Sequence, residues 1–517
     1  MSLSRSSSPP FLWGVSTSGY QVEGGYNGPG EPQNNWAGAE RSGAIQTSGK
    51  SSDFWNQAEE DFKECRSLGF GAFRIGIEWS RVQPSTSWNS SNQNLKQSPP
   101  ELDWKALERY AEILANCRRE GLEPLVTLHH FTHPAWLGMD PWLEPEILPH
   151  FLHFVETTIS YFLKILPERY GVEPPRYYIT INEPNMLAFN HYTWKLFPSG
   201  DAQGLTPTSC CFAHLLMAHA QAYLKIHELY QQQGMTRPFV GFNNYSCDMY
   251  WGDQAWIDLF FVGTKGEDRQ RFVEELQIQE REFDHAFLEA DLLDRRTVRY
   301  WIGQGLKFLH RPIGAQILEN PAWDPLFELI GKQETPLIDY IPFDYYDPFV
   351  SHIIRWPHLG DFESRQRAWH DWMMESIMSK WWDWRSIPDG MLFFARWLSR
   401  RGLPILIAEN GMAYQFDSKE CSHRRRDGLR RKRFIRGHVK AVTQIRKEGL
   451  PLLGYFYWSW CDNYEWGSFT PRFGLRGINF QSEGRERIVT NEFGENAGKI
   501  YAQAMRDSES EWRDLTG

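Results

Sequence analysis

Two stretches of the chain end in a carboxyl group where a run of apolar residues stops. Tyr177-Tyr178-Ile179-Thr180-Ile181 runs into Asn182-Glu183-Pro184, and Ile405-Leu406-Ile407-Ala408 runs into Glu409-Asn410-Gly411. A carboxyl group at the mouth of an apolar strand is poorly solvated, so it must find a cation or keep its proton. Read singly, either glutamate is satisfied by a structural ion pair with an inward arginine such as Arg74. Read together, they are what cleavage of a glycosidic bond needs. One acid protonates the leaving oxygen, and one carboxylate attacks the anomeric carbon.

Such a pair works only if the backbone delivers both groups to one cavity. Short apolar runs rich in β-branched and aromatic residues recur at 11–15, 72–79, 123–130, 176–182, 238–245, 338–346, 403–410 and 452–459, and they predict eight strands. Between them, Tyr110, Ile113, Leu114 and Cys117 fall at i, i+3, i+4, i+7, and Leu216, Ala220, Tyr223 and Leu224 at i, i+4, i+7, i+8. This is the period of helices with one buried face. Eight strands alternating with helices predict an α/β fold, a single (β/α)8 TIM barrel, in which loops at the C-terminal strand ends converge over the mouth. No repeat and no Gly/Ser- or Pro-rich linker divides the chain, so residues 1–517 are read as one domain. Length beyond a ~250-residue barrel is assigned to insertions at about 85–100 and 246–337, and within the second the stretch Arg269 to Asp294 is predicted to be an amphipathic helix.

Composition removes several classes of function. Lys and Arg number 55 against 65 Asp and Glu, a net charge of −10, which argues against a protein that holds nucleic acid by neutralising phosphates. The one strongly basic run, Arg424 to Arg433, is read as a solvated helix start. A hydrophobic content of 41% with 23% charged residues excludes disordered, collagenous and coiled-coil chains. Seven scattered cysteines exclude a disulfide framework and predict reduced thiols. No stretch is apolar and long enough for a signal peptide or a membrane span, and the expectation is a cytoplasmic protein with no membrane partner. His129, His130 and His133 crowd together, but they leave a strand and no acidic residue follows at metalloprotease spacing, so no metal is assigned.

Six motifs stand in one order: Phe11 to Gly24, Phe73 to Arg81, Thr127 to His130, Ile181 to Pro184, Ile407 to Gly411 and Trp458 to Trp466. Through them the chain resembles glycoside hydrolase family 1, the retaining β-glucosidase and β-galactosidase family, over nearly all its length. The resemblance implies that Glu183 is the general acid/base and Glu409 the nucleophile, with Arg74 supporting the nucleophile and Tyr346 orienting it. It implies that Gln21, His130, Asn182, Glu465 and Trp466 contact glycone hydroxyls, with Asn182 on the 2-hydroxyl, and that Trp458 is the floor under the ring. Of the cluster Trp369, Trp372, Trp381, Trp382 and Trp384, it points to Trp384 as a stacking platform for the leaving group. Members acting on 6-phosphorylated sugars carry serine where Glu465 stands, because a carboxylate repels phosphate, and thioglucosidases carry glutamine where Glu183 stands.

Three positions depart from the family. Asp344 replaces an asparagine two residues before Tyr346, Phe131 replaces a tryptophan, and the loop from Trp466 to Phe473 is a residue short. As a third carboxylate, Asp344 is expected to raise the pKa of Glu183 further. The expectation is an exo-acting β-glycosidase, in the first place a β-glucosidase, that needs no metal or organic cofactor and takes a small β-glycoside or oligosaccharide. A transglycosidase using the same glycosyl-enzyme and a catalytically silent sugar-binding protein are the alternatives, and homo-oligomerisation is left open.

Overall fold

The structure, a computed structural model, describes residues 10–85, 95, 98–262, 269–357, 373, 376–417 and 422–516. Strands β1 (Leu12–Ser16), β2 (Ala72–Gly76), β3 (Glu123–Thr127), β4 (Tyr177–Asn182), β5 (Phe239–Tyr245), β6 (Ile341–Asp344), β7 (Ile405–Asn410) and β8 (Leu452–Trp458) pair in sequence order, all parallel. β8 returns to β1 and closes the (β/α)8 barrel. The strands are buried along nearly their whole length and mostly apolar up to their C-terminal ends, because both faces are covered. Leu12, Ala72, Leu125, Tyr177, Ile179, Tyr340, Leu406, Ala408 and Phe456 form an apolar cluster of their own that fills the barrel. The alternate residues, Val15, Phe73, Ile75, Tyr178 and Ile407 among them, join the larger core shared with the helices.

The helices of twelve or more described residues are α1 (Phe54–Leu68), α2 (Trp104–Arg119), α3 (Ile147–Ile165), α4 (Leu205–Gln232), α5 (Arg269–Glu289), α6 (Val298–Ile317), α7 (Pro388–Ser399), α8 (Arg431–Lys447) and α9 (Ala497–Thr516). In α2 the Asp103 side chain caps the first turn, accepting from the backbone N–H groups of Lys105 (2.9 Å) and Ala106 (3.1 Å). Tyr110, Ile113, Leu114 and Cys117 all face inward from it. On α4 the stripe Leu216, Ala220 and Tyr223 is buried as its period requires, whereas Leu224 is exposed.

Several expectations need correction. The ladders are shorter than the apolar runs that announce them: 77–79, 128–130 and 345–346 lie past the last paired residues, where the chain leaves the barrel for its loops. At 79 it already enters a helical turn, Trp79–Val82. Ile77, Trp79, Leu128, Tyr345 and Tyr346 are buried there and so keep the apolar pattern of the strands, whereas Glu78, His129 and His130 are buried polar groups. The insertion helix α5 stops at Glu289, short of Asp294, and lodges Phe283 and Phe287 against Phe393 and Trp397 of α7. From the neighbouring α6, Val298, Trp301, Ile302, Phe308 and Leu309 stand exposed on one face. The basic run is only partly solvated. Arg431 opens α8 buried, donating to the carbonyl of Gly474 (2.6 Å), and the Arg425 side chain is buried against Asp427 (2.8 Å). Most of the 85–100 insertion, together with Trp369, Trp372 and Cys421, lies outside the described residues. The six described cysteines are free, and among the described residues no helix is long and apolar enough to cross a membrane.

Candidate active site

The C-terminal ends of β2, β4, β5, β6 and β7 carry polar side chains into the mouth of the barrel. Glu183 follows β4 with φ of 41°, a left-handed backbone uncommon for a side-chain-bearing residue, and its N–H donates to the carbonyl of Asn243 (2.8 Å). Glu409 lies within β7, beside Asp344 of β6 in the register. One carboxylate oxygen from each of Glu183, Asp344 and Glu409 lies within 4.8 Å of the other two. After Glu409 the chain must pass close under the eighth strand. A Cβ on Gly411 would sit 1.9 Å from the carbonyl oxygen of Trp458, so only glycine permits this approach.

Arg74, buried on β2, organises the cluster. Its Nη1 donates to Glu409 Oε1 (2.6 Å), its Nη2 to Asn182 Oδ1 (2.6 Å) and its Nε to Thr127 Oγ1 (2.8 Å). Tyr346 OH donates to the other Glu409 oxygen, Oε2, at 2.7 Å. Burial raises the pKa of Glu409, while the charge of Arg74 and the hydrogen bonds from Tyr346 and Arg74 pull it back. Arg74 therefore acts in the expected direction, but burial outweighs it. Glu183 is pushed well above the carboxylate range by burial first and then by the charge of Glu409. Asp344 is pushed up by burial, then by the charges of Glu409 and Glu183.

The expected effect of Asp344 on Glu183 is reversed. A carboxyl oxygen of each lies within 4.8 Å of one of the other, and the interaction with Asp344 lowers the pKa of Glu183 while Glu183 raises that of Asp344. Two buried carboxyl groups this close, with the Arg74 and Tyr346 donors directed to Glu409, repel unless one holds a proton, and a protonated Asp344 is a donor to Glu183 instead of one more repelling anion.

The remaining predicted residues are joined to this cluster by a chain of direct contacts. Glu465 Oε1 accepts from Trp458 Nε1 (3.0 Å), and its Oε2 accepts from Gln21 Nε2 (3.0 Å). Burial first, and then the charge of Glu409 against several hydrogen bonds, moves the Glu465 carboxyl up to about 8. The amide of Asn182 donates to His130 Nε2 (3.2 Å), which fixes a neutral imidazole with its proton on Nδ1. The His130 ring lies nearly parallel to Trp458 (6.0 Å) and to Trp466 (5.7 Å). Phe131 meets Trp466 edge-on at 5.0 Å, and the short loop turns at Trp466-Gly467, closed by Glu465 N–H to the Ser468 carbonyl (2.9 Å). Trp384 is half-buried with its ring 5.0 Å from that of Tyr346.

The three clustered histidines diverge. His133 Nε2 meets the Gly138 carbonyl (3.0 Å), while the His129 ring packs edge-on against Trp142 (5.1 Å). Among the described residues the one grouping of three metal-ligand side chains is Glu183, Asp344 and Glu409, and the guanidinium of Arg74 already bonds one of them, Glu409.

Sequence reasoning missed Asn243 and Tyr245. Asn243 Nδ2 donates both to Asn182 Oδ1 (2.9 Å) and to Asp344 Oδ2, bridging β4 and β6. Tyr245 stacks on Tyr346 at 5.9 Å. The signal was present in the polar end of an apolar strand, Phe242-Asn243-Asn244-Tyr245, the same pattern that exposed Glu183.

Comparison with known proteins agrees with this constellation. The chain is 24% identical over 499 residues to a 6-phospho-beta-galactosidase of Clostridium acetobutylicum, covering 92% of this chain and 93% of that one. It is 24% identical over 509 residues to beta-glucosidase A of Thermotoga maritima, covering 96% and 97%. A solved structure of the Thermotoga maritima beta-glucosidase in complex with castanospermine superposes with a TM-score of 0.65 at 20% identity, over 97% of this chain and 98% of that one. The Glycosyl hydrolase family 1 model matches residues 6–247 and 318–502, leaving out the segment that holds α5 and α6 and taking in every residue of the carboxyl cluster. A glycoside hydrolase barrel, its carboxyl groups gathered at one mouth, and a match across most of its length place the chain in glycosyl hydrolase family 1.

Proposed function

We propose that the protein is a retaining exo-β-glycosidase, acting on terminal non-phosphorylated β-D-glycosides, β-glucosides first, by double displacement. The observation that carries this reading is the spacing of the carboxyl groups. Oxygens of Glu183 and Glu409 approach within 4.8 Å, in keeping with the ~5–5.5 Å of retaining pairs and well inside the ~6.5–9.5 Å that an inverting pair needs for an intervening water.

Their environments also support a division of roles. Glu409, held by Arg74 and Tyr346, carries the charge and attacks the anomeric carbon. Glu183, which receives no cation directly and is raised by the charge of Glu409, keeps the proton that the leaving oxygen needs. In the second step Glu183 takes a proton from water, and the glycosyl ester on Glu409 is hydrolysed with a second inversion.

Relatives named for phosphorylated and for plain glycosides stand at equal identity, so overall similarity does not choose the glycone. Glu465 favours the plain one, because its carboxyl, fixed by Trp458 and Gln21 and already raised to about 8 by burial, can hydrogen-bond a sugar hydroxyl in either protonation state, whereas a dianionic phosphate beside it would forbid its ionisation altogether. Trp384, next to Tyr346, supports an aromatic or sugar leaving group. The reading includes a cytoplasmic location, supported by the free cysteines.

The test is a panel of aryl β-glycosides and their 6-phosphates, with the first-formed product anomer read by NMR. A β-anomer from the plain glycosides, with labelling of Glu409 by a 2-fluoro glycoside, is expected. First release of the α-anomer would remove the retaining assignment, and preferred turnover of the 6-phosphates would remove the glycone assignment.

A further inference from the structure

We propose that Asp344 is a positioning residue that holds a proton against Glu183: it stays neutral through the cycle and donates a hydrogen bond to Glu183 whenever Glu183 is a carboxylate. This rests on the assignment of Glu183 as acid/base and adds a third member to the machinery.

The geometry gives Asp344 no way to be an anion. It has no exposed surface, whereas Glu183 and Glu409 retain 7% and 4%, so Asp344 cannot touch substrate or draw on solvent. Three carboxyl groups share Arg74, and the Arg74 Nη1 and Tyr346 hydroxyl donors both go to Glu409. Asp344 Oδ2 receives only the neutral amide of Asn243, which also serves Asn182. Its Oδ1 is buried and meets no N–H or O–H donor. A carboxyl oxygen of Glu183 lies within 4.8 Å of one of its own.

The other groups facing the pair agree. Asp253 adds negative charge near Glu183, Tyr346 and Tyr245 have pKa values raised by burial, and His130 is kept neutral by burial and by Arg74. With one guanidinium and three carboxyl groups, electroneutrality requires two protons. The donors assigned above leave them on Glu183 and Asp344.

Proton accounting then closes with the hydrolytic water as the one proton source outside the cluster. As the glycosidic C–O bond breaks, Glu183 gives its proton to the leaving oxygen and the Glu409 carboxylate bonds to the anomeric carbon. The O–H of Asp344 then points to the newly charged Glu183. In the second half, water gives one proton to Glu183 while its oxygen displaces Glu409 from the anomeric carbon, and Asp344 still holds its own proton.

The test uses Asp344→Leu and Asp344→Asn with the full-length protein. Loss of the donor in Asp344→Leu should move the alkaline limb of kcat/KM upward by about one pH unit or more, because the carboxylate form of Glu183 loses its hydrogen bond. Asp344→Asn supplies an N–H at the same place and should return the limb close to that of the wild type. Downward movement in both variants would mean that Asp344 is an anion, and no movement in Asp344→Leu would mean that it does not act on Glu183; either result overturns the proposal. Infrared difference spectra provide a readout independent of turnover and of the leucine variant's folding. At neutral pH, wild type minus Asp344→Asn should show the carbonyl stretch of a protonated carboxyl group. A carboxylate band in its place overturns the proposal even if the assignment of Glu183 stands. Failure of Glu183 to show acid behaviour would overturn that assignment without altering the infrared result.

Discussion

Removing the charge of Arg74 while keeping its stem, as in Arg74→Met, should disable the nucleophile by protonating it. The guanidinium lies 2.6 Å from Glu409 Oε1, and Arg74 is fully buried. Unit charges ~4 Å apart at an effective dielectric constant of about 20 interact by ~4 kcal/mol, which corresponds to about 3 pH units at 1.36 kcal/mol per unit. Part of that is returned when a cavity water or the hydroxyl of Tyr346 tightens on Glu409, so two to three units is a working figure of about the right size. Glu409 must be ionised to attack, and loss of the cation raises its pKa. The acid limb of kcat/KM therefore moves to higher pH, and below the new limb the rate falls by roughly 10²- to 10³-fold. A dinitrophenyl β-glucoside isolates this step because its leaving group needs no proton, and the rate of 2-fluoro glycoside labelling at Glu409 reads the nucleophile directly. Arg74→Lys should fall between, since one ammonium cannot serve Glu409, Asn182 and Thr127 together. A folded Arg74→Met enzyme whose acid limb stays in place would refute the reasoning, because Glu409 would then owe its charge to something other than Arg74.

Glu183→Ala should lose roughly 10²- to 10⁴-fold on glycosides with poor leaving groups and almost nothing in the first step on dinitrophenyl glycosides; equal losses on both would contradict its role as acid. Tyr346→Phe removes the 2.7 Å hydrogen bond to Glu409 Oε2. A charged-partner bond is worth ~1.5–3 kcal/mol, so kcat/KM should drop about 10- to 100-fold with little change in Tm, and an unchanged kcat/KM would show that Glu409 does not need the phenol. Thermal stability should fall as pH rises from 6.5 to 8.5. Burial lifts Glu78 and Asp253 to about 7 and Glu465 to about 8, so the folded protein keeps protons that the unfolded chain releases near pH 4 to 4.5, and their contribution is lost as pH passes through the folded values. His133 and His219, lowered to about 3 by burial, act with the opposite sign but only below about 6.5, where the unfolded chain protonates. A Tm that is flat or rising across 6.5–8.5 in a scanning-fluorimetry series would count against these burial effects.

The barrel was legible because a parallel strand covered on both faces writes itself as an unbroken apolar run, and all eight runs contain a ladder. Strand ends were not legible, because the rim residues stay buried, and keep the apolar pattern, after the register of the ladder has ended. Ile77 and Leu128 look like strand to any pattern of hydrophobicity, and each still donates its N–H to the neighbouring strand (2.8 and 2.9 Å), yet both lie past the last register pair. The basic run shows the same limit from the other side. Charge reads as solvated, but Arg431 spends its guanidinium on backbone carbonyls of a loop more than forty positions away, a contact that local sequence cannot encode.

At the site, what could be read was which residues stand at strand ends, and what could not be read was where the protons lie. Glu183, Glu409 and Arg74 each follow from position in an apolar run. Asn243 does not, because its role comes from standing opposite Asn182 in the register, within reach of Asp344 on the next strand. Asp344 is the sharper case. Counting carboxyl groups predicts repulsion and a higher pKa for Glu183, and the count is correct, since all three lie within 4.8 Å. The sign changes because the charged donors are not shared equally. Arg74 and Tyr346 both serve Glu409, leaving Asp344 with a neutral amide and a carboxyl neighbour, and under those conditions a buried acid keeps its proton and becomes a donor. Which of three adjacent acids carries the charge is thus decided by the direction of two side chains, one on β2 and one beyond β6, a quantity that only the closed barrel defines.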